Sequence, residues 1–297
     1  MDYGPLTNME KKKLLLQLDT DPQSSVFDRV VAIDAGAEHI FSHGSVKPDQ
    51  VQGLVHGCIF TRGPKDLNRT AIFIGGSDVA AGETLLAEVK KHLLPNWGLQ
   101  VSVLLDSNGC NTTAAAAVRA AARHIALKDA KAVVLGGTGP VGQRVARLLA
   151  REGADVVVGS RQAQRAAGVC SNIAALVPGA RLTPAGTGTA DELTSALAGR
   201  QIVVAAGAAG AVLLPKSVRL ACASLRIAID LNAVPPVGVE GVDIGDKAKE
   251  RDGVICYGAI GVGDTKMKIH RAAIAKLFER NDQIMDAEEV YALAAGV

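Results

Sequence analysis

The run Gly136-Gly137-Thr138-Gly139-Pro140-Val141-Gly142 constrains the fold of this chain more than any other feature. It follows an apolar stretch, Ala132-Val133-Val134-Leu135, patterned like a buried parallel strand, and it opens a helix-patterned segment from Val141 to Arg151. Within it, Gly137, Gly139 and Gly142 have the G-x-G-x-x-G spacing of a dinucleotide fingerprint. Gly137 permits a tight turn, Gly139 lets the backbone approach a pyrophosphate, and Gly142 lets helix and strand pack closely. The helix start adds N–H groups that attract an anion. A Rossmann-type site is expected, with contacts from Gly137, Thr138, Gly139, Pro140, Val141 and Gly142.

The next strand, 155–159, ends in Ser160-Arg161. A site for NAD usually places an acid there, to bind the ribose 2′-hydroxyl. Here a hydroxyl and a guanidinium stand instead, followed by Gln162, Gln164 and Arg165. Arginine suits a 2′-phosphate, because it is always charged and binds in a bidentate way. NADP is therefore the expected cofactor.

A chain of 297 residues suggests two domains, and 48% hydrophobic residues supply ample core. Aromatics are only 3% and the formal net charge is +2, which argues against nucleic-acid partners. The five cysteines are scattered and form no Cys-x-x-Cys, so they read as reduced thiols in a cytoplasmic protein, with Cys110 a small residue in a turn. The longest weakly polar run, 202–214, falls short of the roughly 20 residues that span a membrane. Lys11 to Leu16 resembles the start of a signal, but its apolar part ends at once in Gln17-Leu18-Asp19-Thr20-Asp21. The histidines show no metal-like grouping, and no metal is expected.

Strand and helix patterns alternate along the chain, as in an α/β protein with parallel sheets. Strands are expected at 14–18, 38–41, 70–74 and 101–105, and Ser24 is expected to cap the first helix. A long Ala-rich helix, 111–127, leads into strands at 131–135, 155–159, 201–205, 226–230 and 254–257. Residues 265–280 and 286–295 read as terminal helices with no strand after them. The expected organisation is an N-terminal α/β substrate domain over 1–127, with 1–12 a flexible tail. A Rossmann domain follows over 128–263, and C-terminal helices over 264–297 pack back on the first domain, leaving a cleft between domains.

Ligands of open parallel sheets bind beyond the strand C-termini. Asp19-Thr20-Asp21 follows the first strand and could hold a polar heterocycle or cap a turn. Asp106-Ser107-Asn108-Gly109-Cys110-Asn111-Thr112-Thr113 is denser in hydrogen-bonding groups than one helix cap requires, so it is expected to contact a ligand. Loops containing Ala206, Gly207, Asn232 and Ala233 are expected beside the nicotinamide, with Gly258 further on. Lys266 is read as lying near a helix start, where a cation opposes the macrodipole, which hints at a functional role.

These segments together resemble the methylene-tetrahydromethanopterin dehydrogenase family of methylotrophic bacteria, in its NADP-dependent branch. The likeness runs from residue 12 onward. It rests on Gln17-Leu18-Asp19-Thr20-Asp21, Ile59-Phe60-Thr61-Arg62-Gly63, Leu105-Asp106-Ser107-Asn108-Gly109, Asn232-Ala233-Val234-Pro235-Pro236 and the His270–Phe278 run, besides the fingerprint. Asp264-Thr265 replaces a Gly-apolar pair before Lys266, and Cys110 stands where serine is common. The resemblance implies a pterin substrate, the methanopterin form or in some members the folate form. It also implies a homo-oligomer, often a trimer. Lys266 matches the family lysine at the pterin site, and Asp21 with the 106–113 loop falls on the substrate-facing side. The implied reaction is hydride transfer from a methylene carbon to NADP, with Asp21 stabilising the cation that develops and Lys266 orienting the pterin. Two other readings stay open: a shikimate- or quinate-type NADP dehydrogenase, with Lys65 and Asp106 as its lysine–aspartate pair, and a non-catalytic NADP sensor.

Overall fold

The computed structural model describes residues 10–297, so residues 1–9 of the expected tail lie outside the described range. The chain divides into two compact units. The first contains residues up to Gly109 together with His270–Asp286; the second contains Cys110–Ile269 and Ala287–Val297.

The first unit opens with β1 (Leu14–Asp19), α1 (Val26–Asp34), β2 (His39–His43), α2 (Val51–Phe60), β3 (Thr70–Gly75), α3 (Val79–His92) and β4 (Ser102–Leu105). β1 and β3 are near-continuous apolar runs because parallel strands flanked by helices are buried on both faces. Leu16, Leu18, Ile72, Ile74 and Leu105 pack against Val55 and Ile59 of α2 and Leu85 and Val89 of α3. The residue that caps α1 is Ser25, not Ser24: its Oγ accepts from Asp28 N at 3.2 Å. Ser25 is held there because its own N–H donates to Asp19 Oδ2 at 3.0 Å.

The second unit runs through α4 (Cys110–Ala122), β5 (Lys131–Leu135), α5 (Pro140–Arg151), β6 (Asp155–Ser160), α6 (Ala163–Leu176), β7 (Arg181–Gly186), α7 (Ala190–Leu197) and β8 (Ile202–Ala205). It continues with α8 (Lys216–Ala221), β9 (Ile227–Asp230), β10 (Lys247–Arg251), β11 (Val254–Tyr257) and α9 (Ala259–Lys276), of which the residues up to Ile269 belong to this unit. Its sheet has the order β10-β11-β9-β8-β5-β6-β7, parallel throughout except for β10. The six parallel strands have the Rossmann arrangement. β7 and β10 carry little apolar sequence because they are edge strands, and charged or proline-bearing edges resist further pairing.

The chain ends with β12 (Ile284–Met285) and α10 (Ala287–Leu293). β12 pairs with β4 and completes a parallel first sheet of order β12-β4-β3-β1-β2. The terminal segment therefore contains a strand that its helical pattern did not suggest, and it divides between the units. Ala287, Val290 and Tyr291 of α10 are buried within the second unit, where Glu288 pairs with Arg147 of α5 and Arg119 of α4 lies 5.9 Å from the Tyr291 ring. The Ala-rich face of α4 is buried in the same unit, which sets the boundary at Gly109/Cys110 instead of 127/128. α9 begins at Ala259, earlier than expected. Gly261 within it marks close packing, for a Cβ there would lie 2.8 Å from Asp246 C.

None of the five cysteines is in a disulfide; Cys58, Cys110, Cys170 and Cys256 are buried, and Cys222 is partly buried. Burial pushes the Cys58 thiol up to about 12 and the Cys256 thiol up to about 11, so both stay protonated and unreactive near neutrality. At pH 8 an aromatic disulfide reagent is expected to modify the native protein rapidly at Cys222 alone, and all five cysteines in denaturant. Rapid native reaction at a second thiol would contradict this packing.

Candidate functional site

In the second sheet the strand order reverses between the neighbours β5 and β8, and such a reversal opens a crevice beyond the strand ends. A cleft of about 910 Å³ lies there. Gly136, Thr138, Gly139 and Pro140 form one wall, Ala206 and Gly207 another, and Ser160 with Arg161 closes a third side. Gly136 has φ +71°, and a Cβ on it would sit 2.5 Å from Gly207 Cα. A Cβ on Gly137 would meet Val158 Cγ1 at 2.7 Å, and one on Gly142 would meet Gly137 Cα at 2.8 Å. Packing thus forbids side chains at these positions.

Gly139 is different. A Cβ there would meet nothing nearer than 3.5 Å, so the protein itself does not require glycine. What the missing side chain keeps open is the cleft, at the N-cap of α5. Pro140 occupies the first helical position, and the N–H groups of the opening turn at Val141 and Gly142 have no acceptor one turn back. Gln143 Nε2 braces the turn by donating to Thr138 O at 2.8 Å. These features fit a dinucleotide pyrophosphate.

The far side of the cleft is lined by Arg161 and Arg165, with Gln162 and Thr187, and no Asp or Glu lines it. Ser160 Oγ accepts from Gln162 N at 3.3 Å. Glu192 lies near, but its carboxylate accepts from Gly188 N and Thr189 N in the capping box of α7. Two arginines, Arg161 just before α6 and Arg165 in its first turn, without a competing carboxylate, form a donor set suited to a ribose 2′-phosphate.

Six expected cofactor residues do not line this cleft: Gly137, Val141 and Gly142, which build the turn and the start of α5 beside it, and Asn232, Ala233 and Gly258. Asn232 uses its amide within its own loop, accepting from Val234 N at 2.9 Å and donating to Pro236 O at 3.2 Å. Ala233 is exposed. Gly258 is committed to packing, since a Cβ would lie 2.6 Å from Ile244 C.

The first sheet has its own reversal of order, between β1 and β3. Asp19-Thr20-Asp21 and Gly75-Gly76-Ser77 meet at this point, with Asp106-Ser107-Asn108 after the adjacent β4. Asp19 is fully buried, and its carboxylate accepts from Asp21 N at 2.9 Å and Ser25 N at 3.0 Å, so it builds the loop. Thr20 packs over Gly76, where φ is +95°. Asp21 is only partly buried, and Ser77 donates to both of its oxygens: N to Oδ2 at 3.0 Å and Oγ to Oδ1 at 2.7 Å. Ser107 is buried and donates to Gly75 O at 3.0 Å. Asn108 is exposed with φ 53°, a left-handed conformation that asparagine tolerates. Ser77 was not among the expected site residues, because which strands adjoin is not written in local sequence.

Lys65 precedes β3, whereas Asp106 follows β4, which runs parallel to it. The two residues stand at opposite ends of strands about 15–20 Å long and cannot form a lysine–aspartate pair.

The remaining expected residues belong to the second unit. Asn111 and Thr112 are fully buried in the first turn of α4, where Asn111 Oδ1 accepts from Arg144 Nε of α5. That contact ties helix to helix. Thr113 is partly buried beside them. Lys266 lies two turns into α9 and is partly buried, so the macrodipole argument for it does not hold. Asp264, two residues before it, pairs with Lys247 at 2.9 Å.

The two glycine classes separate binding from folding. Gly139→Ala is expected to keep the wild-type melting temperature and to weaken NADP binding about tenfold or more. Gly142→Ala is expected to destabilise the protein by about 1–3 kcal/mol through overpacking. Calorimetry and thermal melts check both; equal NADP affinity in Gly139→Ala would contradict the assignment.

A family model described as methylene-tetrahydromethanopterin dehydrogenase, N-terminal, matches residues 26–108. The chain is 47% identical over 285 residues to the bifunctional protein MdtA of Methylorubrum extorquens, covering 95% of this chain and 98% of that protein. It is 30% identical over 299 residues to the NAD(P)-dependent methylenetetrahydromethanopterin dehydrogenase of the same strain, covering 96% and 99%. Among solved structures, the 5-ketofructose reductase of Gluconobacter sp. strain CHM43 superposes with a TM-score of 0.51 at 15% identity, over 96% of this chain and 99% of that one, a likeness of fold alone. With relatives matched over nearly their whole length, the chain belongs to the methylene-tetrahydromethanopterin dehydrogenase family.

Proposed function

We propose that this protein oxidises methylene-tetrahydromethanopterin to methenyl-tetrahydromethanopterin with NADP, by direct hydride transfer, in one-carbon (formaldehyde) metabolism. Membership of the family supports the reaction class. The observation that carries the cofactor choice is the cleft side formed by Ser160, Arg161 and Arg165 without a carboxylate.

Bound NADP supplies the carbon that accepts the hydride. Arg161 and Arg165 would hold its 2′-phosphate, the start of α5 would face its pyrophosphate, and Gly139 leaves room for the approach. On the substrate side, Asp21 is the residue read as stabilising positive charge as it develops on the methylene carbon. Ser77 orients that carboxylate through its two hydrogen bonds. Asn108 is available to a polar edge of the pterin, while Ser107 and Asp19 shape the loops around it. Lys266 is assigned the orientation of a pterin carbonyl. Hydride transfer requires no proton to move at the reacting carbon, so no general base is assigned.

Among the described residues no helix is long and apolar enough to cross a membrane. We read the chain as a cytoplasmic homo-oligomer. In support, α1 leaves Val26, Phe27, Val30 and Ile33 each more than half exposed, an apolar stripe larger than scattered surface residues give.

The test is absorbance at 340 nm with NADP and each methylene-pterin in turn, repeated with NAD. Turnover with NADP and the methanopterin form is expected, and the folate form run in parallel defines carrier preference. Silence with both pterins, despite NADP binding, would overturn the proposal in favour of a sensor. Arg161→Ala is expected to lower kcat/KM for NADP about 10–100-fold, the worth of one charge-assisted contact, and to leave that for NAD nearly unchanged.

A further inference from the structure

Asp230 ends β9, is 1% exposed, and does not line the cofactor cleft. Its carboxylate nonetheless holds a segment in place that reaches the cleft. Oδ1 accepts from Asn232 N at 3.0 Å and Oδ2 from Val239 N at 2.8 Å, and Gly238 N donates to it as well. Gly238 O, on the other side of the same residue, accepts from Leu213 N at 2.8 Å and Leu214 N at 2.9 Å. Glu240 N then donates to Leu214 O at 3.0 Å, which makes a short parallel bridge between 213–214 and 238–240. Leu213 lines the cleft and covers Gly207 so closely that a Cβ there would lie 2.6 Å from Leu213 Cδ1. Gly207 is the residue against which the Gly136 turn packs.

The geometry points to Asp230 as a positioning residue for NADP, acting through Gly238 and Leu213 on the 206–213 wall of the cleft. This inference rests on the cofactor site proposed above. The wall needs such an anchor. Residues 207–212 are mostly glycine and alanine, three of them exposed in succession at 208–210, and small side chains give a loop little packing of its own. The anchor supplies it from a buried group whose backbone donors would otherwise be unsatisfied. Burial raises the Asp230 carboxyl above the usual range despite the backbone hydrogen bonds that lower it, as expected for a carboxylate enclosed without a cation.

The test measures NADP dissociation constants by calorimetry on the full chain, with amide hydrogen exchange as the second readout. In Asp230→Asn an amide NH₂ must face backbone N–H donors; in Gly238→Ala the new Cβ would stand 2.7 Å from Asp230 Oδ1, striking the same contact from the other side. Both are expected to weaken NADP about 5–100-fold and to speed exchange across 207–214. Arg251→Ala is the control. It removes the paired Arg251–Asp246 contacts (2.5 and 2.7 Å) in the same unit, away from the wall, and should lower stability without changing NADP affinity. In the wild type, NADP should slow exchange at Val239 and Leu214 as well as in the loop, a readout that does not depend on either variant folding. Unchanged NADP affinity in folded Asp230→Asn, equal weakening in Arg251→Ala, or no protection at Val239 and Leu214 would each overturn the assignment. A wild type that binds no NADP would overturn the cofactor reading itself.

Discussion

The contact between the Gly136 turn and Gly207 governs the second unit. With 2.5 Å between a would-be Cβ and Gly207 Cα, neither segment can carry a side chain on the facing sides. The approach is that close because β5 and β8 are hydrogen-bonded neighbours whose chains leave the sheet in opposite directions. The same reversal opens the crevice that the two loops border. Glycine content, strand order and ligand site are consequences of one geometric requirement. Gly142 extends it into the helix, since α5 sits directly on the turn and brings its first N–H groups to the crevice.

The two units divide the electrostatic work. The cleft of the second presents arginines and helix N–H groups and no acid, an environment for phosphates. The crevice of the first presents Asp21, an environment for positive charge. Neighbouring carboxylates there have opposite fates. Asp19 is enclosed and used up by backbone N–H groups, whereas Asp21 stands further out and keeps acceptor capacity beyond its two bonds to Ser77. Both are Asp two residues apart, so only the packing of the loop distinguishes builder from candidate binder.

Much of the architecture was legible in the sequence because buried parallel strands are apolar runs and the fingerprint demands strand, turn and helix in order. β1, β3, β5, β6, β8 and β9 follow from that pattern. β7, β10 and β12 did not, being a polar edge, a charged edge and a two-residue pairing that exists only because β4 lies beside it. The start of α9 was misread because Gly258, Gly261 and Gly263 look like a loop, while close packing at Gly261 overrides its poor helix propensity. At the cleft, the lining residues Gly139, Ser160 and Arg161 and the packing residues Gly137 and Gly142 were named from local chemistry. Ser77, Thr187 and Leu213 were not, since each reaches its place through strand neighbours far away in sequence. The loop of Asn232 was expected beside the nicotinamide because it follows a late strand of the sheet, whereas the Asn232 amide donates and accepts within that loop.

The central claim is that the substrate's methylene carbon gives its hydride directly to NADP. The most direct measurement is a turnover with the methylene carbon deuterated, followed by mass analysis of the reduced nucleotide. Direct transfer predicts one deuterium retained in the NADPH formed and slower turnover if that step limits the rate. Deuterium found in water, with unlabelled NADPH, would contradict the account.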